Sequence, residues 1–182
     1  MFKLQQKKKE EQAKKAADAD KPPSMQKQVS VRTRYLTREL TELELPSTCK
    51  MNFDNVDDLR EFTLVIQPDE GYWKGGSFTF QVKVPEEYNV KPPNVLCKTR
   101  IWHPNIAENG RICLSLLREH ALDGMGWLPT RTLKDVVWGL NSLFTDLVDF
   151  DDPLNVEAAE QYKKSESNFS QRVRSYVDQF AK

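Results

Sequence analysis

Histidine and cysteine are scarce. Only His103 and His120, and Cys49, Cys97 and Cys113, occur in 182 residues. The cysteine count is odd and contains no C-x-x-C pair, so neither a zinc framework nor a disulfide scaffold is expected. Thiols left reduced imply an intracellular protein. No apolar run approaches the roughly 18 residues of a membrane span, and the N-terminus lacks the apolar core of a secretory signal. Neither sign of charge is in excess: 27 Lys and Arg balance 27 Asp and Glu. Neutrality argues against nucleic acid as the main partner.

What is present suits a single domain with a tail. The hydrophobic fraction is 38%, with four Trp and nine Phe, enough for one packed core. Residues 1 to 27 differ from the rest, with eight Lys, four acidic residues and a Pro-Pro pair. That composition predicts a mobile extension. Its opening is apolar, however. Met1, Phe2 and Leu4 precede the charge run, which leaves two readings: a solvated tail, or a short linear motif that folds onto a groove of a partner.

From Ser30 the pattern turns helical, with Val31, Tyr35, Leu36, Leu40 and Leu43 in register and Pro46 just beyond. Four alternating segments follow. They are Cys49-Met51-Phe53, Phe62-Leu64-Ile66, Phe78-Phe80-Val82-Val84 and Val95-Cys97, with turn signals between them. They read as an antiparallel meander. Residues 101 to 131 are loop-like, an unusual length that often carries function. An amphipathic helix then runs from a Thr132 cap through Leu133, Val136, Val137, Leu140, Leu143, Phe144 and Leu147. Two more helices follow Asp151-Asp152-Pro153: Val156 to Lys164, and a segment carrying Phe169, Val173, Tyr176, Val177 and Phe180. The class is α+β, with helices at the ends of a four-stranded sheet.

Cys97 and Cys49 read as small buried hydrophobes. Cys113 is different. It lies in the loop-rich region, after an Asn109-Gly110 turn that brings the chain back on itself. Thiol chemistry needs a reachable sulfur and a donor for a developing oxyanion, and Asn105 is such a donor. A cysteine hydrolase using His103 or His120 as base is conceivable, although a His-Pro-Asn sequence also reads as plain turn chemistry.

The residues around Cys113 carry a resemblance. His103-Pro104-Asn105-Ile106, three residues, then Gly110-Arg111-Ile112-Cys113-Leu114 is similar to the active-site signature of ubiquitin-conjugating enzymes. So are Pro68-Asp69-Glu70-Gly71-Tyr72 with Gly75-Gly76, Tyr88 with Lys91-Pro92-Pro93, Trp127 with Pro129, and Asp151-Asp152-Pro153-Leu154. These fall in the family's order, from about Val29 to the C-terminus. Within the family, CLSLLREHALDGMGWLPTRTLKDVVWGLNSLFTDL resembles the neddylation branch, the type paired with the second Rbx RING protein and cullin-five. The extra residues around Ala121 to Gly126 fit that type. The opening MFKLQQKKKEE looks instead like the other neddylation enzyme.

The resemblance implies a ubiquitin-conjugating fold over 28–182 and a docking extension over 1–27. Cys113 would accept a NEDD-type modifier as a thioester from a heterodimeric activating enzyme, which consumes the ATP. An Rbx-type RING protein would then direct transfer to lysines of cullins, and no cofactor is implied. Ubiquitin as the modifier, or a non-catalytic modifier-binding variant, are the alternatives. Asn105 would stabilise the oxyanion or brace the loop. Asp152 would orient the incoming lysine, unless it is only a turn residue before Pro153. His103 and Pro104 would shape the turn. Val90 and Pro129 match the RING-contacting loops, with Val90 smaller than the aromatic of many relatives. Arg32, Arg34 and Arg38 would dock the activating enzyme from the first helix. Met1, Phe2 and Leu4 would engage that enzyme and a Dcn-type co-ligase, the latter through an acetylated N-terminus. Such a protein is expected in cytoplasm and nucleus.

Overall fold

A computed structural model of the chain describes residues 30–55, 57–119 and 124–182. The extension 1–27, with Met1, Phe2 and Leu4, lies outside the described residues, as do His120 and the positions 121–123. Helix α1 spans Val31–Glu42, and strands β1 to β4 span Cys49–Asn52, Glu61–Ile66, Phe78–Lys83 and Asn94–Cys97. The strands form one antiparallel sheet in sequence order. This is the expected meander. Its register sets Leu64 opposite both Met51 and Phe80. Alternation therefore places Phe62, Leu64, Ile66, Phe78, Phe80 and Val82 on a single buried face. Each such side chain contributes about 1.5–3 kcal/mol by leaving water.

Helices α2 (Leu133–Ser142), α3 (Val156–Lys164) and α4 (Glu166–Phe180) pack onto that face, joined by Leu36 of α1 and by connecting residues such as Trp73, Trp102 and Phe144. Phe144 stacks on Phe78 at 4.9 Å between centroids and meets Trp73 and Phe80 edge-on. The start of α2 is held from two directions. Asp135 accepts the Thr132 N–H at 2.7 Å and its hydroxyl at 3.0 Å. Glu39 of α1 accepts the Leu133 N–H at 2.8 Å, and also the Tyr88 hydroxyl at 2.6 Å. A carboxylate at a helix N-terminus satisfies donors that have no partner within the helix.

Two helices are shorter or more exposed than their apolar spacing predicts. In α1 only Leu36 is fully buried, whereas Val31 and Tyr35 face outward. The α2 stripe was expected to reach Leu147, but the helix ends at Ser142. The carbonyl of Leu143 bonds His103 Nε2 at 2.7 Å, and Leu147 N–H turns to the Ser142 carbonyl at 2.9 Å. The α-helical bond from residue 147 to residue 143 is thereby replaced, and Leu147 emerges 47% exposed. Among the described residues no helix is long and apolar enough to cross a membrane, and no cluster of His, Cys, Asp and Glu could hold a metal ion.

Candidate active site

The long connection is far from structureless. Ile101 to Ile106 are six consecutive buried residues. Trp102 donates its indole N–H to Gln161 at 2.9 Å and accepts the Trp73 indole N–H on its carbonyl at 2.9 Å. The Arg172 guanidinium lies 3.7 Å from the Trp102 ring centroid. His103 stacks on Trp73 at 4.4 Å. Its Nδ1 accepts the Asn105 N–H at 2.9 Å, so the hydrogen must sit on Nε2, which donates to Leu143. Complete burial pushes the imidazole down to about 4. A neutral ring with both nitrogens engaged cannot serve as a base for Cys113, in line with the turn-shaping role.

A tight reversal then carries the chain back. Ala107 N–H bonds the Arg111 carbonyl at 2.9 Å, and Gly110 N–H bonds the Ala107 carbonyl at 2.9 Å. Gly110 has φ of 82°, and a Cβ there would lie 2.1 Å from the Cys97 carbonyl oxygen. Only glycine fits. The return places Ile112 against Ile106 and bonds the Cys113 N–H to the Asn105 carbonyl at 2.8 Å. Cys113 is half-exposed, while Cys49 and Cys97 are buried. Burial pushes the Cys97 thiol up to about 12 and the Cys49 thiol upward as well, which keeps both protonated and inert.

Asn105 is 2% exposed. Its Nδ2 donates to the Asp149 carbonyl at 2.8 Å, and its Oδ1 accepts the Asp149 N–H at 2.8 Å. Asp149 in turn accepts the N–H groups of Asp151 and Asp152 at 2.8 and 3.0 Å, which hold its carboxyl below the usual range. The Pro104 carbonyl accepts the N–H groups of Leu154 and Asn155. The 104–105 turn and the 149–155 segment are thus one bonded unit, with the Asp152 carboxylate projecting from it, 80% exposed.

Cys113, Asn105 and Asp152 line one cleft of about 170 Å³, together with Leu114, Ser115, Leu147, Asp149 and Arg118. Arg118 is absent from the residues singled out in the sequence. A short 3-10 helix, Ser115–Leu117, turns the chain after Cys113. Arg118 Nη2 then lies 3.1 Å from Cys113 Sγ and 3.6 Å from Asp152 Oδ2. A basic residue five positions beyond a thiol was the available signal, but its direction depends on that turn.

Of the other expected contact residues, Arg38, Val90 and Pro129 fall around a second surface. Trp127 donates its indole N–H to the Asn89 carbonyl at 2.7 Å, and Asn89 Nδ2 donates to the Pro129 carbonyl at 3.5 Å. These bonds join the two loops that bear Val90 and Pro129, both exposed. Arg38 and Pro129 line the same cleft of about 240 Å³ beside α1. Arg34 and Arg38 are exposed, whereas Arg32 is half-buried.

Residues 35–177 match the family model described as ubiquitin-conjugating enzyme. The chain belongs to the ubiquitin-conjugating enzyme family. As a member it is a transferase that works through a cysteine thioester. It is 58% identical over 158 residues to the NEDD8-conjugating enzyme UBE2F of Gallus gallus, covering 86% of this chain and 85% of that protein. It is 60% identical over 156 residues to UBE2F of Danio rerio, covering 85% and 84%. Identity to the NEDD8-conjugating enzyme ubc-12 of Caenorhabditis elegans is 43% over 162 residues, covering 86% and 90%. Among solved structures, Ubc12 of S. cerevisiae superposes with a TM-score of 0.71 at 33% identity, covering 94% of this chain and 89% of that one. The ubiquitin-conjugating fold expected from the ordered motifs is the observed one.

Proposed function

We propose that this chain is a NEDD8-conjugating enzyme. It accepts the modifier from a heterodimeric activating enzyme as a thioester on Cys113 and, with an Rbx-type RING protein, passes it to cullin lysines. One observation carries the site assignment: Cys113 is the only half-exposed thiol among the three cysteines, and it shares a cleft with Asn105 and Asp152. The modifier is supported by the NEDD8-conjugating relatives. The stronger likeness to UBE2F than to ubc-12 supports the branch that pairs with the second Rbx protein and cullin-five. ATP enters only through the activating enzyme.

Within this reading Asn105 braces the 149–155 segment, because both ends of its amide are engaged there. Asp152 faces the incoming lysine, and Val90 and Pro129 meet the RING protein. Three unpaired thiols suit residence in cytoplasm and nucleus, which imaging of a tagged chain checks; retention in a secretory compartment would contradict it. The function is tested by incubating the chain with ATP, NEDD8 and its activating enzyme and running gels with and without reducing thiol. A thiol-sensitive band is expected, absent in Cys113→Ala and present in Asn105→Ala, whose stability should fall by about 1–3 kcal/mol. Charging of Cys113→Ala would sink the site assignment.

A further inference from the structure

We infer that Arg118 is a catalytic residue, whose guanidinium stabilises negative charge on Cys113 Sγ both when the thiolate attacks and when it leaves. The inference rests on Cys113 as the thioester site.

Two independent features place the group. Its backbone is fixed on both sides: Arg118 N–H bonds the Ser115 carbonyl at 2.9 Å, and its carbonyl accepts the N–H of buried Trp127 at 2.8 Å. Its side chain is then aimed by two acceptors, since the same Nη2 lies 3.1 Å from Sγ and 3.6 Å from Asp152 Oδ2. Arg118 lines both clefts that flank the sulfur. A planar, permanently charged donor held at that distance suits an anionic sulfur.

The charge on sulfur changes twice. In charging, the Cys113 thiolate attacks the carbonyl carbon of the modifier's C-terminal glycine. The bond from that carbon to the activating enzyme's sulfur breaks, and the electron pair leaves on that sulfur. In transfer, a neutral lysine amine attacks the same carbon of the new thioester. The C–S bond to Cys113 breaks, its electron pair returns to Sγ as thiolate, and the proton of the former amine passes to water. A thioester sulfur is a weak acceptor, whereas the departing thiolate is a strong one. The Arg118 contact is therefore stronger in the transition state than in the charged ground state, which is the condition for acceleration. Asp152, on the other side of the same nitrogen, orients the guanidinium.

Arg118→Gln and Arg118→Lys in the full chain test this, with three rates measured: alkylation of Cys113 by iodoacetamide, charging with NEDD8, and single-turnover discharge of the charged enzyme to free lysine. Cys113→Ala supplies the alkylation blank for Cys49 and Cys97. Because the Arg118 side chain is exposed, at 47%, Arg118→Gln should slow alkylation and discharge by about three- to tenfold, with Arg118→Lys between Gln and wild type. Alkylation involves neither activating enzyme nor RING protein, so a residue that only docks a partner would leave it unchanged. Wild-type alkylation and discharge in Arg118→Gln would overturn the role, as would equal slowing by Gln and Lys. Charging of Cys113→Ala is a separate failure, that of the site itself. Should Arg118→Gln melt at a lower temperature, Arg118→Lys decides alone: folded and slower than wild type in both alkylation and discharge supports the role, and wild-type rates refute it.

Discussion

His103 joins the turn before the thiol to the end of helix α2 through its two ring nitrogens, and it does so only as a neutral ring. Burial lowers the imidazole from an ordinary 6.5 to about 4. Between those values an unfolded chain binds the proton and the folded one does not. The contribution is complete above 6.5 and is lost as pH falls from 6.5 to 4, a change on the order of 3 kcal/mol. Denaturant unfolding across that interval should show stability falling with pH in the wild type, and a smaller slope in His103→Phe. Equal slopes would contradict the assignment. At this scale ordered motifs mark Cys113, Asn105 and Asp152 as candidates in the sequence, and the fold brings the three to one cleft. The neutrality of His103 was not legible, since it follows from complete burial against Trp73 and Phe144, which are distant in the chain. Arg118 escaped for a similar reason: its relation to the sulfur is created by a three-residue 3-10 turn that leaves no apolar period.

At the scale of elements, the strands were readable because each has one buried face, so alternation marks both the strand and its inward side. The helices were readable in type, and α3 also in extent as Val156–Lys164, but α2 was not. The apolar stripe of α2 continues past its last helical bond because Leu143 and Phe144 are buried in turns rather than in helix. The connection over 101–131 holds a single short 3-10 turn among its described residues, as its lack of periodicity predicts, and the reversal expected at Asn109-Gly110 is bonded around Gly110. That reversal sets Cys113 beside Asn105. Gly110→Ala would drive a Cβ into the Cys97 carbonyl at a left-handed φ, and loss of about 3 kcal/mol or more is expected. A melting curve checks this, together with slower charging of the variant that still folds. A variant as stable and as active as wild type would show that the reversal does not position the thiol.

At the scale of the molecule, Val31–Lys182 form one compact unit that carries two surfaces, the thiol cleft and the joined 89–90 and 129 loops beside α1. The extension before it is the remaining proposed contact for the activating enzyme and the co-ligase. Removing residues 1 to 27 should slow charging while leaving the melting temperature of the rest within a degree or so. Equal charging rates would end the docking role. The account's central claim is that Cys113 carries NEDD8. Its most direct measurement offers NEDD8 and ubiquitin together, each with its own activating enzyme and ATP, and follows the intact mass of the chain. The predicted result is a single adduct of NEDD8 mass, removed by reducing thiol and absent in Cys113→Ala. An adduct of ubiquitin alone, or a NEDD8 adduct that survives in Cys113→Ala, would contradict it.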